Sequence, residues 1–187
     1  MTQTPLTLSP AALFAALLTT MRVMLGRQPA TDSFHATPDG LWQAVGAAIL
    51  LAVLASLYPG LSAAPSLFFL SIIVQLIGVL LLVLMINFIL QRLGEASKFM
   101  PFAVPFLWVE NVQQLLGGIV QNLMVITGDP SMLMLILPVA VWSIYWLWRL
   151  GRDIVGRGGG VAAGFVMLSF MIDLGLLVVL QSRLAGG

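Results

Sequence analysis

The chain has 187 residues, of which 60% are hydrophobic and only 8% charged, against roughly 25% charged in ordinary soluble domains. Eight basic and seven acidic side chains cannot cover the surface of a soluble protein of this size, and a net charge of +1 gives no basis for nucleic-acid binding. Without cysteine there are no disulfides, thiolate metal sites or cysteine nucleophiles, and a single histidine, His35, argues against zinc or haem centres of the usual kind. No cofactor is expected.

Residues 1–40 form the segment before the first apolar stretch. Ser9-Pro10 reads as a helix start, with serine at the N-cap and proline at the first helical position. Leu13, Phe14, Leu17, Leu18, Met21 and Leu25 follow at helical spacing, so an amphipathic helix over residues 9–26 is expected, either lying on the cytoplasmic face of the membrane or packed onto the cytoplasmic end of the helix bundle. No Lys or Arg precedes Arg22, which argues against a secretory signal. Residues 28–40 read as a loop. His35 lies there near Asp32 and Asp39, without the spacing of a metal site or a nucleophile elbow.

Five stretches are then long enough to cross a hydrocarbon core, at residues 41–58, 66–90, 101–127, 131–148 and 160–181. The predicted fold is an all-α membrane domain over residues 41–182 with the N-terminal helix added. Pro59-Gly60 with Pro65, Arg92 to Lys98, Gly128-Asp129-Pro130 and Arg149 to Gly160 read as the connections. Trp42, Tyr58, Trp142, Tyr145, Trp146 and Trp148 mark span ends as interfacial anchors, and Pro138 is expected to kink the fourth span. Gly156-Arg157-Gly158-Gly159-Gly160 lacks the Lys-Ser/Thr of a phosphate loop and reads as a turn.

Charge sets the expected orientation. Numbering the sides alternately, one side holds Arg22, Arg27, Arg92, Lys98, Arg149, Arg152 and Arg157, and the other only Arg183. This asymmetry predicts a cytoplasmic N-terminus and an external C-terminus. The expected membrane is a plasma membrane, or the inner membrane of a bacterial cell.

The third span is the least apolar. At about 100° per residue, Glu110, Gln114, Gly117 and Gln121 fall within an arc of about 60°, with Asn111, Gly118 and Asn122 on its flank. Such a face should turn towards protein rather than lipid. Asp173 lies about halfway along the fifth span, and no Lys or Arg occurs in any span to pair with it. Gln75 and Asn87 on the second span are further members of a candidate intramembrane polar cluster comprising Glu110, Asn111, Gln114, Gln121, Asp173, Gln75 and Asn87. Two uses are open to it: hydrogen bonds between helices or with a partner, or a polar path through the membrane. Gly160-x-x-x-Gly164 and Gly117-Gly118 would permit close helix approach.

Asp39-Gly40-Leu41-Trp42 resembles a shortened form of the Asp-Leu-Tyr-Gly-Pro-Phe-Trp motif of the Yip1 family, lacking its Leu-Tyr pair and proline. Trp142-Ser143-Ile144-Tyr145-Trp146-Leu147, followed by a Gly-Arg turn and a small-residue helix, is similar to that family's fourth-to-fifth span connection. The resemblance implies a five-span membrane protein, and because the residues contain no catalytic constellation no enzymatic activity is expected. Eukaryotic members are membrane scaffolds that contact Rab GTPases, and without the Tyr and Pro that contact is not carried over. The expected function is therefore helix–helix or partner contact in the lipid bilayer, with itself as a homo-oligomer or with another membrane protein. The alternatives are a small oligomeric transporter or permease with Glu110 and Asp173 along a polar path, and an accessory subunit of a larger membrane complex.

Overall fold

The computed structural model describes the backbone of residues 9–63 and 65–185, and the side chains of most of these. The elements are α1 (Pro10–Met24), α2 (Ala30–Ser33), α3 (Pro38–Ala63), α4 (Pro65–Arg92), α5 (Phe99–Thr127), α6 (Ile136–Leu150) and α7 (Gly159–Ala185). Short 3-10 turns at Ala96–Lys98 and Pro130–Leu135 precede α5 and α6, and a π turn at Gly151–Val155 follows α6. No strand occurs among the described residues. Four segments, Pro38–Ala55, Phe68–Arg92, Pro130–Val155 and Gly159–Val178, are long and apolar enough to cross a membrane. The 29 residues of α5 give it ample length, but its amides and Glu110 make it more polar than the others.

Local chemistry explains the element ends. Ser9 Oγ accepts from the Ala12 N–H at 3.2 Å, so α1 has the expected serine cap. It stops at Gly26, whose φ of 70° is the left-handed conformation that a C-terminal glycine adopts readily. Thr37 Oγ1 caps α3 through the Gly40 N–H at 3.2 Å. Gly40 also lies so close to the His35 carbonyl that a Cβ there would collide with it.

Several expected loops are helical. Residues 28–40 contain α2 and the first turn of α3, and the Arg149 to Gly160 segment stays helical through the π turn to Val155. The Pro59-Gly60 pair lies inside α3. A proline here has no N–H for the carbonyl four residues back, which is that of Ala55. Asn122 Nδ2 approaches this Ala55 carbonyl at 3.4 Å and supplies a substitute donor from α5. Pro138 is the third residue of α6, just past the change from 3-10 to α geometry. The side chains of Tyr58 and Arg183 lie outside the described residues.

The five long helices form a ring in the order α3, α4, α7, α6, α5, each packed on its neighbours. The half nearer the α4–α5 and α6–α7 connections is filled. Phe102, Phe106 and Phe165 are at most 1% exposed there, and the Phe102 ring is centred 5.3 Å from that of Phe106 and 4.8 Å from that of Phe165. α1 packs across this end against α5 through Val23 and Met24, while Phe14 (64%), Leu18 (37%) and Leu25 (58%) stay exposed on its other side.

The two basic connections are tied together. Glu95 pairs with Lys98 at 3.0 Å and Arg157 at 2.8 Å, Lys98 Nζ donates to the Val155 carbonyl, and Arg157 Nη2 donates to that of Leu93. Hydrogen bonds from Lys98 and then Arg157 hold the Glu95 carboxyl below its ordinary value of 4.5. A depressed carboxylate stabilises the fold fully above its unfolded pKa, and the contribution disappears as pH falls through the folded one. Thermal melts in detergent should therefore lose stability progressively below about pH 4.5, and Glu95→Gln should remove part of that acid sensitivity. An unchanged pH profile in the variant would show that this tie contributes nothing.

Candidate functional site

α5 divides the expected polar face into two edges with different surroundings. The asparagine edge faces α3. Asn111, 1% exposed, donates from Nδ2 to the Ala44 carbonyl at 2.9 Å, and Asn122 reaches Ala55 as described. Gly118, between them along the helix, sits so close to α3 that a Cβ would lie 2.9 Å from that of Ala55. This edge is an interhelical seam.

The other edge turns into the ring. Glu110, Gln113, Gln114, Gly117 and Gln121 line a cavity of about 450 Å3 together with Gln75 and Gly78 of α4, Val139 and Ala140 of α6, and Ser169 and Asp173 of α7. All five long helices contribute to its wall. Its lining runs from Leu107, Leu82 and Ala48 near mid-helix to Gln121, Ser71 and Ile136, towards the helix ends remote from the basic connections. The packed phenylalanines lie beyond its inner limit. It is therefore a one-ended chamber.

The polar groups in it are disposed for use by a guest. Ser169 Oγ donates to Glu110 Oε1 at 2.5 Å and links α7 to α5 across the inner part of the chamber. Asp173 lies one helical turn beyond Ser169, in line with the packed residues Ala162 and Val166, and is exposed because the ring opens at that level. Asp173, Gln75, Gln113, Gln114 and Gln121 have no hydrogen-bond partner among the described residues. No Lys, Arg or His lines the wall among the described residues. No group of three His, Asp or Glu side chains arranged to hold a metal ion occurs among them either.

Six members of the polar cluster thus share one cavity: Glu110, Asn111, Gln114, Gln121, Asp173 and Gln75. Asn87 does not join them. It lies one turn from the basic end of α4, where its Oδ1 accepts from Gln91 Nε2 at 3.3 Å. Ser169 and Gln113 are cavity residues that the sequence pattern did not single out. Ser169 had a readable signal, being four residues before Asp173 and so on the same helical face. Of the small-residue pairs, Gly117 and Gly118 both line the chamber and only Gly118 also packs against α3, while a Cβ at Gly160 or Gly164 would meet nothing within 4 Å.

No protein-family model, curated protein or solved structure matches this chain. The geometry of the chamber is what speaks for its function.

Proposed function

We propose that this protein is a five-span integral membrane permease whose central chamber binds a small cationic or hydrogen-bond-donating solute and moves it through the bilayer in exchange for protons. The observation that carries the reading is a cavity of about 450 Å3 walled by Glu110, Asp173 and four glutamines, with no basic side chain among its described lining residues. Acids and amide oxygens favour a guest that brings donors or positive charge, and the volume falls in the range of ordinary small-molecule sites, about 300–1,000 Å3. Ionisable groups at membrane depth are costly to keep there, and recur along ion and proton pathways.

Several observations support five spans. At about 1.5 Å per residue, α5 is about 43 Å long, enough to cross the bilayer. Its polar edges face α3 and the chamber, and large apolar side chains, Ile119, Leu123, Val125 and Ile126, are exposed towards its far end. The basic asymmetry supports a cytoplasmic N-terminus and a chamber mouth on the external side. In this reading α1 lies along the cytoplasmic surface, with Phe14, Leu18 and Leu25 against lipid and Arg22 and Arg27 among the headgroups.

The contact role implied by the Yip1-like residues accounts for the asparagine seam but assigns no use to unpartnered glutamines around an open chamber. The decisive test is transport by purified protein in proteoliposomes with an entrapped pH dye, using guanidinium and methylammonium as probes. Saturable probe uptake accompanied by a change in internal pH is expected. Uptake no faster than in protein-free liposomes, at every pH from 5 to 8 and for both probes, would favour the contact role.

A further inference from the structure

A second pocket, of about 340 Å3, lies at the basic end of the molecule, between the α1–α2 turn and the end of α6. Arg27 and Gln28 stand on one side of it and Trp146, Arg149 and Asp153 on the other. The positive φ of Gly26 turns the chain out of α1 and begins the first wall. The second follows from the continuation of α6 into the π turn, which carries Asp153 beside Arg149.

The charges here are unequally satisfied. Asp153 is held by Arg149 Nε at 3.4 Å and by Arg152 Nε at 2.9 Å, so its carboxylate already has two cationic partners. The Arg149 guanidinium lies 4.6 Å from the centre of the Trp146 ring and makes no further hydrogen bond among the described residues. Arg27 is exposed, and its side chain has no hydrogen bond or ion pair among them. Two arginines line this pocket against one aspartate, and that aspartate is also paired from outside the lining by Arg152, so the pocket keeps a positive surplus. Arginine forks match phosphate oxygens, and guanidinium stacked on an aromatic ring is held in place for such a contact. Leu150 and Ile154 add an apolar wall beside the polar one. Exposed Leu25, at 58%, lies just before the turn.

We infer that this pocket is a binding site for a phosphate group, gripped between Arg27 and Arg149 at the cytoplasmic membrane surface. The phosphate is that of an anionic lipid headgroup or of a soluble phosphate compound. The inference rests on the membrane orientation proposed above but not on the chamber, so failure of transport leaves it standing.

Native mass spectrometry of the purified chain in detergent tests it, with dioctanoyl phosphatidylglycerol, dioctanoyl phosphatidylcholine and inorganic phosphate as probes. One phosphatidylglycerol should bind, about ten-fold or more tighter than phosphatidylcholine, and Arg27→Gln with Arg149→Gln should weaken it by about ten-fold or more. Arg27→Lys alone keeps the charge and should retain binding within a few-fold, which separates loss of the site from loss of the fold. Displacement by millimolar inorganic phosphate would identify soluble phosphates as the source, and resistance to it the lipid. Equal binding of the two lipids, or undiminished binding by the double variant, would overturn the site.

Discussion

Proteoliposomes carrying the Glu110→Gln, Asp173→Asn double variant are expected to move guanidinium more than about ten-fold more slowly than wild type, and to lose the accompanying pH change. Truncating a buried charge–charge contact costs about 2–5 kcal/mol, and about 1.4 kcal/mol is a factor of ten, so even the low end predicts a large loss. Both substitutions keep shape and hydrogen-bonding capacity. The glutamine that replaces Glu110 retains an oxygen to accept from Ser169, so the link between α5 and α7 is preserved. Replacing two acids by amides also lowers the cost of placing these helices in lipid. Thermal stability in detergent should therefore be unchanged or raised. If the double variant transports like wild type, the carboxylates are structural and the chamber is not a cation path.

The second large effect separates two adjacent glycines. Gly117→Phe should yield a folded protein with transport near the protein-free background. A Cβ at Gly117 has nothing within 4 Å, and the position lines the chamber, so the ring would occupy the space proposed for solute. Relief of the helical glycine would add only about 0.3–0.5 kcal/mol of helix propensity, because phenylalanine is a poorer helix former than alanine. Gly118→Phe should instead destabilise the protein by about 1–3 kcal/mol or more, because its first carbon already meets Ala55 Cβ at 2.9 Å in the α3 seam. Melting temperature and probe uptake measured on the same preparations distinguish the two. Equal melting temperatures would show that the seam yields to a bulky ring, and normal transport by Gly117→Phe would remove the chamber from the pathway.

The polar arc of α5 follows from helical periodicity alone, since Glu110, Gln114, Gly117 and Gln121 recur at intervals of three and four. Its division into a seam and a chamber wall does not. A helical wheel holds no information about which neighbour stands opposite each edge, and Asn111 finds Ala44 across 67 residues of chain. The same limit hides the continuation of α3 through Pro59. Proline normally ends or kinks a helix, and the donor near the carbonyl it leaves free belongs to Asn122, in another helix. Asn87 illustrates the opposite error. Its residue type suggests membership of the cluster, but 12 residues separate it from Gln75 along α4, about 18 Å of helix. The pocket at Arg27 and Arg149 is likewise invisible in the sequence, because the two arginines meet only once α1 has packed over the basic end of the ring.

Because the chain has no cysteine, one engineered thiol can report on the chamber without background. The direct measurement is modification of Gly117→Cys by small, membrane-impermeant methanethiosulfonate reagents in right-side-out vesicles. A water-filled, cation-selective chamber predicts reaction from the external side, faster with a cationic reagent than with an anionic one. That preference should disappear when Glu110→Gln and Asp173→Asn are added. A thiol that reacts only after the membrane is dissolved, or equally fast with both charges, would contradict such a chamber.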